Sequence, residues 1–352
     1  MRRRVALVLL ALALALAWRP LLQPAGRATV LLLDLFSGLV GADLAAVLAP
    51  EPRVREGRAT FAGTEMRVTT WEPGLGDRHP AMLVLNGATP VGNDNAATRE
   101  LGRALARAGF LATLPEFPFL REGRFDPGAM RQVDAAFSTL RARADVEGER
   151  SSAFGSSVGG GVLLAAAGGP HAALARADAL VVLGGYFDLD TYLASVAAGA
   201  EWRGAAVVPW LPAEEARERL PRAALDAVPP AERAALADAL EGGSYEAVLV
   251  RLRALPAGSR AVLDGLSPRA SWATLAPPVF WIHDPDDAYE PLAEAEAAAA
   301  APRRSGTFRL AVPALVKHAE VAPGARGRGP LEVAGELLGL LGFAIEVMRH
   351  AG

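Results

Sequence analysis

Residues Phe154–Gly161 read FGSSVGGG and contain the pattern Gly-x-Ser-x-Gly with Ser157 at its centre. An apolar run follows directly, from Val162 to Ala167. This arrangement is typical of a nucleophile elbow, a tight strand-to-helix turn that exposes a serine hydroxyl at the N-terminus of the helix. Backbone N–H groups there can stabilise an oxyanion. Because the chain contains 36 glycines, the motif could also be a glycine-rich loop that only packs in the core. The surrounding sequence distinguishes this alternative from a nucleophile elbow.

Length and composition limit the classes of protein that fit. A chain of 352 residues with 51% hydrophobic residues can bury a large core, as one domain with an insertion or as two domains. The formal net charge of −3 argues against a nucleic-acid partner. The chain has no cysteine, which excludes disulfides, a thiolate nucleophile and Cys-ligated metal sites.

The N-terminus has the features of a targeting segment. Arg2, Arg3 and Arg4 precede an unbroken apolar run over residues 5–17. A helix over that run would be about 20 Å long, against about 30 Å for the hydrocarbon core of a bilayer. We therefore predict a signal peptide or signal anchor over residues 1–26, with the catalytic domain on the extracytoplasmic side of the cell membrane. Cleavage of the leader would instead give a secreted or periplasmic protein.

A second apolar segment runs over residues 30–48, and Asp34 and Asp43 interrupt it. We predict a hydrophobic stem helix within residues 27–50 that lies on the membrane or on the main domain. The remaining residues, 51–352, are predicted to form the catalytic domain.

Strand-like and helix-like patterns alternate through that domain, which predicts an α/β fold with a mostly parallel sheet covered by helices on both faces. Strands are predicted over residues 53–71 (with a turn near 62–64), 81–85, 110–114, 151–156, 179–183, 279–282 and 308–312, and helices over 96–108, 125–143 and 331–348. Residues 188–277 break this alternation. They contain four short amphipathic segments and no good strand, so we predict a helical lid there.

A nucleophilic serine needs a base, and an acid that orients the base. In the chain order Ser, acid, His, the base that follows the last strand is His318. The other histidines are predicted to be surface or structural residues: His79, His171, His283 and His350. For the acid the residues leave three candidates, Asp287, Asp286 and Asp188. Backbone N–H groups of Val158 and Ala88 are the predicted oxyanion donors.

Several segments resemble the α/β-hydrolase superfamily over roughly residues 53–350, apart from the lid. Residues 85–88 (LNGA) are similar to the family's strand followed by His-Gly, with Asn86 in place of the histidine. Residues 101–110 resemble the helix that ends in Ala-Gly-Phe, and residues 114–116 resemble the Pro-Asp that follows. Residues 278–283 followed by Asp287 and Pro291 resemble the family segment in which the acid stands a few residues past His-Gly and just before a proline, and this register selects Asp287. Asp284 replaces the usual glycine of this segment.

The resemblance implies a serine hydrolase with the triad Ser157, Asp287 and His318 and with no metal or organic cofactor. Within the superfamily the chain is similar to bacterial membrane-associated members that are related to the dienelactone-hydrolase and acetyl-esterase branches. Carboxylic ester hydrolysis is the expected reaction, on an apolar small-molecule acyl substrate. Two alternatives stay open: a binding protein on an inactive hydrolase fold, and an acyltransferase that uses the same triad.

Overall fold

The computed structural model describes residues 23–37, 44–169, 172–303, 306–318, 320–321 and 329–352. The predicted leader lies outside these ranges, apart from its last four residues. None of the helices in the described ranges is both long enough and apolar enough to cross a bilayer. The signal peptide or anchor therefore stays a prediction.

An eight-stranded sheet forms the centre of the fold, in the order β1-β2-β4-β3-β5-β6-β9-β10. The first two strands are antiparallel at one edge, and the six from β4 to β10 are parallel to one another. The strands are Arg53–Phe61 (β1), Thr64–Glu72 (β2), His79–Leu85 (β3), Leu111–Pro115 (β4), Val146–Ser156 (β5), Leu180–Leu183 (β6), Ala200–Arg203 (β7), Ala206–Pro209 (β8), Val279–Ile282 (β9), Phe308–Ala311 (β10), Val316–Lys317 (β11) and Glu320–Val321 (β12). The predicted fold class is confirmed.

Helices cover both faces of this sheet. They are Gln23–Leu35 (α1), Ala45–Leu48 (α2), Ala96–Arg107 (α3), Pro118–Arg121 (α4), Ala129–Arg141 (α5), Val158–Ala167 (α6), Leu189–Ala198 (α7), Glu214–Ala227 (α8), Arg233–Leu240 (α9), Tyr245–Arg253 (α10), Ala257–Leu266 (α11), Leu292–Ala300 (α12) and Pro330–Ala351 (α13). The helix predicted over residues 125–143 begins only at Ala129, because the Asp126 side chain accepts the Gly128 N–H at 2.7 Å and forms a turn there.

Alternate residues of β3 supply the two core layers, as the period of a strand requires. Leu83 and Leu85 pack with the face covered by α5, α6 and α12. Met82 and Val84 pack with the opposite face, against α1, α3 and α13. Burial on both faces explains why this strand reads as a continuous apolar run in the sequence.

The insertion between β6 and β9 contains α7 to α11, and the four helices predicted within residues 212–266 are present. The prediction that residues 188–277 contain no strand is wrong. β7 and β8 form an antiparallel hairpin that turns at Gly204, whose φ is +59°. With four residues per strand, the hairpin is too short for its alternation to stand out in the sequence.

The N-terminal helix α1 is packed on the main domain, against α13 and α3. Asp34 is buried at its C-terminal end, where Arg107 Nη1 donates to Asp34 Oδ1 at 2.5 Å and Arg103 Nη2 lies 3.3 Å away. Asp34 thus interrupts the apolar run with a carboxylate that pairs with arginines of α3. Of the two positions predicted for the stem, the described residues occupy the one on the main domain.

Candidate active site

Ser157 lies between the last residue of β5 and the first residue of α6, with φ +52° and ψ −134°. Non-glycine residues rarely adopt positive φ, so the surrounding contacts must hold this conformation. Ser157 N–H donates to the carbonyl of Leu183 at 2.8 Å, and Gly160 N–H donates to the carbonyl of Ser157 at 2.8 Å. The Gly-x-Ser-x-Gly motif thus forms the predicted strained turn between strand and helix.

The glycines of the motif are needed for close approach. A Cβ at Gly159 would lie 2.1 Å from the carbonyl oxygen of Asn86, and one at Gly155 would lie 2.8 Å from the carbonyl oxygen of Gly159. A Cβ at Gly161 would lie 2.3 Å from the ring of Tyr186. Any side chain at these positions would push α6 away from the sheet and displace the serine.

The structure brings His318 to Asp287. His318 Nδ1 lies 3.0 Å from both carboxylate oxygens of the buried Asp287. The other two candidate acids lie elsewhere, since Asp286 is exposed and pairs with Lys317, and Asp188 pairs with Arg269.

Asp284 fixes the position of His318. Its Oδ2 accepts the backbone N–H of His318 at 3.1 Å, and its Oδ1 accepts Lys317 Nζ at 3.0 Å. His318 itself has φ +47°, and the ring of Tyr289 stacks on its imidazole at 4.3 Å. The residue that departs from the family pattern therefore holds the histidine in place, which sequence reasoning did not foresee.

The hydroxyl of Ser157 contacts a residue that the sequence analysis missed. Ser157 Oγ donates to Glu290 Oε1 at 2.5 Å, and Glu290 Oε2 lies 3.3 Å from His318 Nδ1. The sequence predicts His318 as the partner of Ser157, but among the described residues the hydrogen-bond acceptor for this hydroxyl is Glu290. The available signal was an acid three positions after Asp287 and directly before Pro291.

The two predicted oxyanion donors lie beside Ser157. Val158 is the first residue of α6, where a backbone N–H has no acceptor within its own helix. Ala88 follows β3 in a loop that passes close to the serine, since a Cβ at Gly87 would lie 3.0 Å from Ser157 Cβ. The Asn86 side chain secures this loop by donating to the carbonyl of Gly92 at 3.1 Å.

Solved structures share this architecture at low sequence identity. 2,6-Dihydroxy-pseudo-oxynicotine hydrolase matches with a TM-score of 0.53 and 15% identity, over 87% of this chain and 70% of that one. Brefeldin A esterase, a bacterial homologue of human hormone-sensitive lipase, matches with 0.51 and 18%, over 85% and 78%. The chain has the α/β-hydrolase fold.

A third protein with this α/β-hydrolase fold is the acylaminoacyl peptidase of Pyrococcus horikoshii, with a TM-score of 0.53 and 12% identity. The match covers 90% of this chain but only 44% of the peptidase. No family model matches the sequence, and no curated protein matches it. The dienelactone-hydrolase and acetyl-esterase branch stays a prediction.

A cavity of about 340 Å³ opens above Ser157 in this hydrolase fold. Val158, Ala88, Glu290 and His318 line it together with the serine. Helix α8 of the insertion covers one side, and Leu35 at the end of α1 reaches the wall. Most of the remaining wall is apolar, including Phe119, Leu120, Phe125, Phe154, Leu183 and Leu220.

Burial and mutual attraction set the charges of the three groups Glu290, His318 and Asp287. Burial raises the pKa of Glu290 to about 7, although the nearby His318 opposes this rise. Burial by itself would lower the pKa of the His318 imidazole, but the Glu290 and Asp287 carboxylates raise it to about 9. Burial acts to raise the pKa of Asp287, and the hydrogen bond and positive charge of His318 outweigh burial and lower it.

Asp287, Glu290 and His318 place three potential metal-ligand atoms within 4.8 Å of one another. We assign these groups to hydrogen bonding, because Asp287 already contacts the imidazole and Glu290 accepts the serine hydroxyl.

A second buried glutamate, Glu294, connects α12 to the start of the insertion. It accepts the backbone N–H groups of Phe187 and Asp188 at 2.8 Å and the Thr191 hydroxyl at 2.5 Å. Burial outweighs these hydrogen bonds and raises its pKa from 4.5 to about 7. Between these pH values the unfolded chain binds fewer protons at this site than the folded chain, so folding stability falls as pH rises.

Glu294→Gln should remove this pH dependence. The difference between 4.5 and about 7 corresponds to about 3 kcal/mol. The free energy of unfolding of the variant, relative to wild type, should therefore rise by up to about 3 kcal/mol from pH 4.5 to pH 7. Urea titrations at several pH values measure it, and a constant difference between the two proteins would contradict the prediction.

Proposed function

We propose that this protein is a serine hydrolase that cleaves a carboxylic ester or a related acyl bond. The observation that carries the proposal is Ser157, held by a strained turn in a cavity that His318 also lines, with the His318 imidazole paired to the buried Asp287. The spacing Gly155-x-Ser157-x-Gly159 and the order Ser, Asp, His agree with acyl chemistry on this fold.

In the proposed reaction Ser157 Oγ attacks the acyl carbonyl carbon and forms an acyl-enzyme, which water then hydrolyses. His318 takes the serine proton and later activates the water, and Asp287 orients His318. The N–H groups of Val158 and Ala88 stabilise the negative oxygen of the tetrahedral intermediate. No step of this scheme needs a metal or an organic cofactor.

We propose a small-molecule substrate with an apolar acyl or alcohol group. The apolar lining of the cavity supports this, because burial of an apolar group there contributes about 25 cal/mol per Å². Arg219 and Glu215 of α8 also line the cavity, and they pair with each other at 2.8 Å, so together they carry no net charge. An ester is preferred over an amide as the working hypothesis, although this fold also includes peptidases.

Ser157→Ala should abolish ester hydrolysis and labelling by a fluorophosphonate probe while the protein stays folded. Loss of a serine nucleophile lowers turnover by a factor on the order of 10⁴ or more. Hydrolysis of p-nitrophenyl esters of increasing chain length measures activity, and circular dichroism checks the fold. Ser156→Ala is the matched control, and labelling at Ser156 would contradict the assignment.

Asp287→Asn should lower turnover by a factor on the order of 10²–10⁴, because His318 loses its orienting carboxylate and a stabilising charge. Asp286→Asn should change turnover by less than about threefold, since the exposed Asp286 contacts Lys317 and not the imidazole. Steady-state kinetics of both variants test this. A larger loss in Asp188→Asn than in Asp287→Asn would show that the acid follows the earlier strand β6, and the assignment of Asp287 would then be wrong.

We also propose that the catalytic domain is exported and held at the cell membrane. The support is Arg2, Arg3 and Arg4 ahead of the apolar run over residues 5–17. Full-length protein expressed in a bacterium should be accessible to external protease in spheroplasts and should sediment with membranes. Complete protection, with the protein in the soluble cytosol, would refute the proposal.

A further inference from the structure

We propose that the cavity takes an ester with an apolar group on each side of the scissile bond, and that Leu35 of α1 and Leu220 of α8 limit the lengths of these two groups. This inference rests on the proposed serine hydrolase function and names the substrate class of the same site. It gives the N-terminal helix, which lies outside both the central sheet and the insertion, a role in substrate selection.

The cavity extends over both faces of the central sheet at its carboxyl edge. Val84 and Leu85 are consecutive residues of β3, so their side chains point to opposite faces of the sheet. Both of them line the cavity. Val84 packs with the face covered by α1, α3 and α13, and Leu85 packs with the face covered by α5, α6 and α12. A ligand in this cavity therefore contacts the apolar layers on both sides of the sheet.

The part of the cavity on the α1 side, which we call the α1 lobe, has an apolar wall. This wall is formed by Leu35, Val84, Leu101, Phe154 and Leu183. Val84 and Phe154 belong to the core layer under α1 and α3, and Leu101 and Leu183 pack against that layer. Leu35 is the last residue of α1, so the helix ends at the wall of this lobe.

The part of the cavity under the insertion, which we call the insertion lobe, has a second apolar wall. This wall is formed by Phe119, Leu120, Phe125, Leu220 and Ala223. Phe125, Leu220 and Ala223 belong to the hydrophobic core of the insertion. Phe119 and Leu120 belong to the core layer that contains α5 and α6. Leu220 lies in the middle of α8 and is buried, so α8 forms the far side of this lobe.

Ser157 lies between the two lobes. Phe154, three residues before it, lines the α1 lobe, and Val158, directly after it, lines the cavity and packs against the core clusters of the other side. An ester carries its acyl group on one side of the carbonyl carbon and its alcohol group on the other. When Ser157 Oγ attacks that carbon at the boundary of the lobes, an extended ester places one group in each lobe.

The surrounding structure holds the ends of both lobes in place. Asp34, the residue before Leu35, is buried and pairs with Arg107 and Arg103 of α3. These ion pairs fix the C-terminal end of α1 and with it the position of Leu35. Leu220 is fixed by the close packing of the insertion core. A group that is too long for its lobe therefore meets a fixed wall, which makes the two leucines specificity-determining residues.

Two series of esters measure the two lobes separately. p-Nitrophenyl esters with acyl chains of increasing length vary the acyl group, and alkyl acetates with alcohols of increasing length vary the alcohol group. In wild type, kcat/KM should rise about fourfold per methylene in each series until the lobe is filled, and should then fall. The chain length at the maximum of kcat/KM reports the depth of the lobe that receives the varied group.

Leu35→Trp should shorten the maximum by about two methylenes in one series and leave the maximum of the other series in place, because the larger side chain fills the α1 lobe alone. Leu220→Trp should do the same in the opposite series. Leu35→Ala and Leu220→Ala should lengthen the corresponding maxima, and they test the proposal if a tryptophan variant does not fold. A small fluorophosphonate counts the reactive Ser157 in each variant, and thermal unfolding checks the fold.

Leu31→Ala and Leu225→Ala are the matched controls. Leu31 lies on α1 and packs against the core layer under that helix, and Leu225 lies on α8 and packs against the insertion core. Neither leucine is among the described residues that line the cavity. Both maxima should therefore stay at the wild-type chain length in these two variants.

Two results would overturn the proposal. One is a shift of the same ester series by both tryptophan variants, which would mean that a single apolar group occupies both lobes. The other is a pair of maxima that stay in place in every Leu35 and Leu220 variant, or that move as far in the controls. Failure of the proposed function itself looks different: wild type would then neither hydrolyse the esters of either series nor take the fluorophosphonate label.

Discussion

The site depends on one backbone conformation, the positive φ of Ser157. A residue with a Cβ is strained at that angle, and it stays there only because its N–H and carbonyl are both hydrogen-bonded to neighbouring elements. The glycines on either side let α6 approach β3 and β5 closely enough for those bonds to form. The same turn directs the serine hydroxyl into the cavity and places the N–H of Val158 beside it. Packing of the sheet and geometry of the nucleophile therefore have a common cause.

The turn places Ser157 beside a buried cluster in which the carboxylates of Asp287 and Glu290 contact the imidazole of His318. Asp287 and Glu290 are both buried, and two negative charges so close together would repel strongly in a low-dielectric interior. His318 relieves this repulsion, which is why burial and attraction move the three pKa values in different directions. Asp284 and Lys317 extend the network to the surface and fix the histidine backbone. The reactivity of Ser157 thus follows from the sharing of protons among the whole group.

Two segments outside the central sheet complete the cavity. Helix α8 of the insertion contributes Ala216, Leu220 and Ala223 to its wall, and α1 contributes Leu35. The ion pair between Asp34 and Arg107 holds α1 against the domain, next to Leu35. A buried pair of this kind contributes more to position than to net stability, because desolvation offsets most of its attraction. The N-terminal helix is therefore part of the site as well as part of the predicted stem.

The sequence by itself determined the features that depend on neighbouring residues: the apolar runs of the central strands and the glycines of the turn. These are local or periodic patterns, and local chain geometry is sufficient to produce them. It did not determine Glu290 as the partner of Ser157, 133 positions away, or Arg107 as the partner of Asp34, 73 positions away. Nor did it identify Asp284 as the residue that holds His318. Only tertiary structure decided these contacts, because a charged side chain in a sequence gives no sign of whether folding will bury it or which opposite group will face it.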